Sequence, residues 1–148
     1  MKEAMNMLVD LKARLDEPAI RELFEYAMFA DTDEDEVIEA LDRYRKDQQL
    51  RAFGLESEGQ IVAVIGYRRV EENKLDIKHL AVSPDQRGLG YGRGIILRTL
   101  ELEKPQLVTV ETDEEAVEFY RNIGFIIESL GEKYSGVERF KCTFETDF

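Results

Sequence analysis

The chain has 148 residues, 43% hydrophobic and 9% aromatic, with ten glycines and three prolines. That is the composition of one globular domain over residues 1–148, and it excludes a disordered, collagen-like or low-complexity chain. Twenty Lys and Arg against 32 Asp and Glu give a net charge of −12, a field that repels nucleic-acid backbones and anionic lipid, so neither is expected as a partner. A single cysteine, Cys142, and a single histidine, His79, exclude an internal disulfide and a His/Cys zinc site, and no metal is expected.

In chain order, residues 6–11 carry an irregular alternation that suits a short edge strand. Pro18 sits just inside a helix start after Asp16, and Ile20, Leu23, Phe24, Ala27 and Met28 recur at the spacing of one buried helical face. Thr32 then precedes Asp33, Glu34, Asp35 and Glu36, acids that suit the positive end of a helix dipole. Val37, Leu41 and Tyr44 mark the buried stripe of that second helix, which fades near Asp47. From residue 51 the pattern becomes that of strands. Residues 51–56 and 61–70 flank a turn at Ser57, Glu58 and Gly59 and predict a hairpin with a buried second arm. A turn at Glu71, Glu72 and Asn73 leads into a strand over 75–82, which Ser83, Pro84 and Asp85 break. A helix follows the stretch 88–94 and ends before Pro105. Next come a strand over 107–112, a helix over 114–122 with Asp113 as its cap, a turn at Gly124, and strands over 125–130 and 137–146. The order of elements predicts an α/β (α+β) fold with one mixed sheet. Apolar runs stop well short of membrane-spanning or leader length, and the chain reads as cytoplasmic.

Four glycines, Gly88, Gly90, Gly92 and Gly94, fall within seven residues at the start of a segment whose apolar pattern demands a helix. Each costs a helix interior about 1 kcal/mol relative to Ala, so the cluster needs a compensating reason. Close approach of a ligand to backbone N–H groups at a helix N-terminus is one, with Arg87 supplying a charged fork suited to pyrophosphate. A tight turn with close helix–sheet packing is the other. Spacing excludes two nucleotide motifs. A dinucleotide fingerprint needs Gly where Arg93 or Ile95 stands, and a Walker loop needs a Gly-Lys pair, which the chain lacks. What remains is Arg87-Gly88-Leu89-Gly90-Tyr91-Gly92, entered from Leu80-Ala81-Val82-Ser83-Pro84.

These residues resemble the GNAT superfamily of N-acetyltransferases, whose acetyl-CoA site follows hydrophobic-Ala-Val-x-Pro-x-x-Arg-Gly-x-Gly-x-Gly. A second signature of the family, A-x-x-F-Y-x-x-x-G-F, is present as Ala116, Phe119, Tyr120, Gly124 and Phe125. The resemblance implies a mostly antiparallel sheet with a central parallel pair of strands that splay apart, flanked by about four helices. It implies that backbone groups of Leu80 and Val82, with Ala81 between them, hold the pantetheine arm of acetyl-CoA as an added strand. The pyrophosphate would then lie on Arg87, Gly88, Leu89, Gly90, Tyr91, Gly92 and Arg93. Many members carry Asn seven residues before the Tyr; here Asp113 stands there, and helix capping is its simpler role.

Acetyl transfer to an amine needs a neutral nucleophile, a polarised carbonyl and a proton for the departing thiolate. Tyr120 is the candidate donor to the thiolate, with packing beside Phe119 as its alternative reading. Counting back along the strand puts Asp76 where relatives that use a strand carboxylate carry their base, and His79 is its rival on intrinsic basicity. Alternation places Asp76 and His79 on opposite faces unless a bulge intervenes, and one is expected near the splay. The acidic run from Asp31 to Glu36 either attracts a cationic amine or is a solvated helix start, and Cys142 is expected to be a buried apolar residue. The resemblance implies an acetyl-CoA-dependent transferase acting on a small-molecule or peptide amine, with a homodimer through the C-terminal strands as a possibility of the family. A protein acetyltransferase and a non-catalytic acyl-CoA-binding module are the rival readings.

Overall fold

The computed structural model describes residues 7–28, 32–71, 73–134 and 136–148, the side chains of 133 and 134 apart. Asn6 of the first strand, Asp31 of the acidic run and Glu72 of the second turn lie outside the described residues. The elements are β1 (Met7–Asp10), α1 (Pro18–Tyr26), α2 (Glu34–Lys46), β2 (Leu50–Ser57), β3 (Gln60–Val70), β4 (Lys74–Val82), α3 (Tyr91–Glu103), β5 (Leu107–Thr112), α4 (Glu114–Asn122), β6 (Ile126–Tyr134) and β7 (Val137–Glu145).

The strands form one sheet in the order β1-β2-β3-β4-β5-β7-β6. Only β4 and β5 run parallel; every other neighbour is antiparallel. This is the mixed fold that the order of elements predicts. Local chemistry fixes most boundaries. Glu58 and Gly59, at φ 53° and 82°, form the two-residue turn that joins β2 to β3 between paired Ser57 and Gln60, with the positive dihedrals such a hairpin requires. In α2 the capping residue is Asp33 and not Thr32. Its carboxylate accepts from the Glu36 N–H at 2.8 Å, and Glu36 accepts from the Asp33 N–H at 2.9 Å, a reciprocal capping box. Arg43, Arg45 and Lys46 close the same helix where its dipole favours cations. Asp113 caps α4 by accepting from the N–H groups of Glu115 and Ala116.

Core residues lie on both faces of the sheet. Ile65, Tyr67, Leu75, Ile77, Val108, Val110 and Cys142 pack with Ile95 and Ile96 of α3 and Val117 and Tyr120 of α4. Leu50, Ala52, Val64 and Ala81 pack with Ile20, Leu23 and Phe24 of α1 and Val37, Leu41 and Tyr44 of α2. The period-2 alternation along β3 and β4 sends successive side chains to these two layers.

Candidate active site

The parallel ladder is short. It pairs Lys74 with Leu107, Leu75 with Val108, Asp76 with Thr109 and Ile77 with Val110, then stops, although β4 continues to Val82 and β5 to Thr112. Its closed end is pinned by the Asn73 carbonyl, which accepts from the N–H groups of Gln106 and Leu107. At its open end β4 bulges: Gly66 faces His79 and Tyr67 faces Ile77, leaving Lys78 without a partner on β3. A bulge bends and twists its strand, and here it coincides with the last parallel pair. From His79 to Val82, β4 is therefore bonded on its β3 side and open on the other. The Ser83 N–H donates to the Val62 carbonyl at 2.8 Å. Successive residues of a strand alternate the side to which their N–H and C=O groups point, so Ala81 turns its groups to β3, while Leu80 and Val82 turn theirs to the gap. Such an edge can bind an extended ligand as an added strand.

Beyond Val82 the chain makes a 3-10 turn at Pro84–Gln86 and reaches α3 through Gly88 and Gly90. Both hold left-handed backbone, at φ 82° and 87°, which costs a residue with a Cβ roughly 1–2 kcal/mol. No atom lies within 4 Å of where a Cβ would stand on either, so the space above the loop is open. Gly90 offers α3 no side-chain cap, and the Gly94 N–H bonds back to the Gly90 carbonyl at 2.9 Å. The earlier N–H groups, on Tyr91, Gly92 and Arg93, thus stand free for an anion. Gly92 serves packing as well, since a Cβ there would come within 3.2 Å of the Phe119 ring. The packing reading of the glycine cluster holds at Gly92, while Gly88 and Gly90 combine left-handed backbone with open space. Leu89 is exposed, the Tyr91 hydroxyl lies 3.3 Å from Ser57 Oγ, and Arg87 donates from Nε to the Val82 carbonyl at 3.2 Å with its guanidinium over the Tyr26 ring.

Tyr120 is buried between Phe119 and Phe125, with ring centroids 5.0 and 5.3 Å away. Burial, with a smaller contribution from the Cys142 thiol, pushes its phenol well above the usual range, so the group keeps its proton at neutral pH. The hydroxyl makes no hydrogen bond to a described residue, and no buried side-chain oxygen among the described residues lacks a partner. The Tyr120 hydroxyl therefore reaches accessible space. Cys142 pairs with Val110, the last β5 residue of the parallel ladder, which sets this phenol against the sheet where β4 and β5 part. Cys142 itself is fully buried, as its strand parity predicts.

The bulge brings Asp76 and His79 to one face, since their partners Arg68 and Gly66 on β3 are two residues apart. Asp76 accepts from Thr109 Oγ1 at 2.8 Å through one oxygen and pairs with Lys78 Nζ at 2.9 Å through the other. His79 lies under α1 and α2. Its Nδ1 is 2.5 Å from the Tyr44 hydroxyl, and its ring meets the edges of Tyr44 and Phe24 at 5.5 and 6.0 Å. Burial, then the charges of Arg43 and Lys78, lowers its pKa to about 4. The sequence reading missed the Tyr44 hydroxyl, taking Tyr44 only as part of an apolar stripe. The signal that could have found it is Gly66 inside a buried strand, where a missing side chain marks a close approach: a Cβ at Gly66 would collide with the Tyr44 ring and hydroxyl. In the acidic run, Asp33 and Glu36 are spent on the capping box and Glu34 pairs with Arg21 at 3.1 Å. Among the described residues no group of three His, Cys, Asp or Glu side chains is placed to hold a metal ion.

The chain and its fold are matched in known proteins. The family model for the Acetyltransferase (GNAT) family matches residues 17–125. The chain belongs to the GNAT acetyltransferase family. No curated protein matches significantly. Among solved structures, a Desulfovibrio desulfuricans protein assigned to the GNAT family superposes with a TM-score of 0.78 at 16% identity, covering 95% of this chain and 99% of that one. A spermidine/spermine N-acetyltransferase from Vibrio cholerae gives 0.71 at 19% identity, covering 95% and 92%. The Campylobacter jejuni N-acetyltransferase PseH, solved in complex with acetyl coenzyme A, gives 0.70 at 17% identity, covering 97% and 100%. At these identities the likeness is one of fold. GNAT acetyltransferases are acetyl-CoA-dependent transferases.

Proposed function

We propose that this chain acts as a single acetyltransferase domain that moves acetyl from acetyl-CoA to a primary amine by direct attack, without a covalent acyl-enzyme. The observation that carries the reading is the continuity of two backbone surfaces: the gap-facing edge of β4, with the groups of Leu80 and the Val82 N–H unpaired and the Val82 carbonyl taken by Arg87 Nε, and the uncapped N–H groups at the start of α3. The first suits the amides of a pantetheine arm and the second a pyrophosphate, with Arg87 and Arg93 near by. The acetyl carbonyl would then lie by the open end of the ladder, where the Leu80 N–H is the oxyanion donor. The amine nitrogen attacks the carbonyl carbon and the C–S bond breaks. Asp76 takes the amine proton, directly or through water, and Tyr120 gives a proton to the departing thiolate. A phenol held protonated by burial, with a free hydroxyl, fits that task.

The acceptor is read as a small-molecule amine in the cytoplasm. The acidic balance of the chain favours a cation, and the spermidine/spermine enzyme among the structural relatives names such a substrate for itself. The reading includes a homodimer through β6 and β7, supported by β6 being the sheet's edge with Ile126 75% exposed; a monomeric mass in solution would remove it. The primary test is thermal unfolding with acetyl-CoA, with NAD as control. Ligand at a hundred times Kd adds roughly 2.7 kcal/mol, several degrees for a chain of this length. A shift with acetyl-CoA alone supports the reading, and a panel of small amines and lysine peptides scored by free thiol then identifies the acceptor class. No shift at millimolar acetyl-CoA sinks it.

A further inference from the structure

We infer that Tyr44 is a positioning residue: by donating its hydroxyl proton to Nδ1 of His79 it fixes the imidazole as the Nε2–H tautomer, which makes His79 a hydrogen-bond donor to the reacting centre and not its base. The inference rests on the transferase reading above and deepens it.

The geometry sets the direction of the bond. A tyrosine hydroxyl carries one proton, and His79 Nδ1, at 2.5 Å, is the acceptor that Tyr44 meets among the described residues. Burial pushes the Tyr44 phenol far above its usual range, so it stays a donor. An imidazole that accepts at Nδ1 and remains neutral carries its proton on Nε2. The surroundings of the ring favour neutrality. The Tyr44 hydroxyl and the Arg43 charge face it from α2, the Phe24 ring from α1 and Lys78 from its own strand, while its cross-strand neighbour on β3 is Gly66. Asp76, on the same face, is engaged by Thr109 and Lys78. β5 offers no pairing residue opposite His79, because the ladder ends at Ile77 and Val110.

Nε2 makes no hydrogen bond to a described residue, and no buried side-chain nitrogen among the described residues is left without one, so Nε2 is accessible, on a residue of β4 that lies beyond the last pair of the parallel ladder. Its ligand is an oxygen acceptor, such as the carbonyl of the acetyl group. With no lone pair on Nε2, it takes no proton from an ammonium, and that task falls to Asp76. Gly66 completes the device, since any side chain there would displace the Tyr44 hydroxyl.

His79 is the only histidine in the chain, so one-bond and long-range ¹H–¹⁵N spectra report its ring alone. The expected result for the wild type is a single Nε2–H tautomer whose shifts do not move between pH 5.5 and 8. For Tyr44→Phe, which keeps the ring in place, the titration moves upward from about 4 and the tautomers mix. In turnover the same variant lowers kcat about tenfold with KM for acetyl-CoA unchanged, and brings an acid limb into the kcat profile. A wild-type Nδ1–H tautomer, a wild-type titration near 6.5, or a Tyr44→Phe protein with unaltered shifts and rate would each overturn the inference. The wild-type spectra stand even if the variant fails to fold. They need no acetyl-CoA, so a wrong tautomer with an intact acetyl-CoA stability shift refutes this inference alone, and an absent shift with the expected tautomer refutes the transferase reading.

Discussion

On the face of the sheet covered by α3 and α4, the candidate site is backbone and apolar surface with one phenol. Tyr120 sits in a cluster of Phe119, Phe125, Val110 and Cys142, and its hydroxyl has no partner among the described residues. On the face covered by α1 and α2, the polar side chains hold one another: Tyr44 on His79, and Thr109 and Lys78 on Asp76. Two tyrosines of similar burial thus have opposite dependence on their hydroxyls. Packing alone holds Tyr120, so its hydroxyl is at liberty to serve a ligand; Tyr44 spends its hydroxyl on fixing another side chain.

Substitutions at the two tyrosines test this contrast most strongly. Tyr120→Phe keeps the ring and loses no internal hydrogen bond, so stability should stay within about 0.5 kcal/mol. The loss of the proton donor is expected to lower kcat by about 10²–10⁴-fold. Stopped-flow thiol release and thermal unfolding on one preparation check both halves, and an unchanged kcat removes Tyr120 from the chemistry.

The next effect is one of pH. The folded pKa of His79, about 4, lies below the ordinary value near 6.5, so the unfolded chain binds more protons between those values, and stability falls as pH drops through that window. Between pH 7.5 and 5 the contribution is at most about 2 kcal/mol. His79→Gln should lose this part of the pH dependence, which urea unfolding at the two pH values would detect.

On a similar scale, Gly66→Ala forces a methyl into the Tyr44 ring and is expected to cost about 1–3 kcal/mol, as overpacking of a core does. The mirror experiment on the other face is Gly94→Ala, where the added methyl finds only the Leu55 side chain at 3.9 Å and should raise stability by up to about 1 kcal/mol. Equal destabilisation of both would mean that Tyr44 does not lie on Gly66. At the low end, Asp33→Ala removes one half of the α2 capping box and should cost about 1 kcal/mol, while leaving the acetyl-CoA shift intact.

Local backbone geometry around the candidate site is legible in the sequence where the residue type itself carries the requirement. The run from Arg87 to Gly92 announced a helix N-terminus stripped of side chains, and Gly88 and Gly90 do hold backbone that disfavours other residues. Asp113 announced a cap and is one. A bulge is expected near the splay from the sequence, and the structure places it at Lys78. Tyr44 was read for its ring, because a helical stripe reveals which residues are buried and not what their polar atoms touch.

Local sequence by itself therefore determined the order of elements, the α3 glycine turn, the capping residues of α4 and the apolar faces of the helices. These depend on dihedral preferences and on periodicities of two and 3.6, which act over a few residues. Tertiary structure alone decided where the parallel ladder stops, which backbone groups stay unpaired, and that the sole histidine meets a tyrosine 35 positions away in sequence. Those outcomes depend on register between strands and on the packing of helices against them. A one-residue bulge reverses the side to which every following side chain points, and no local propensity encodes it.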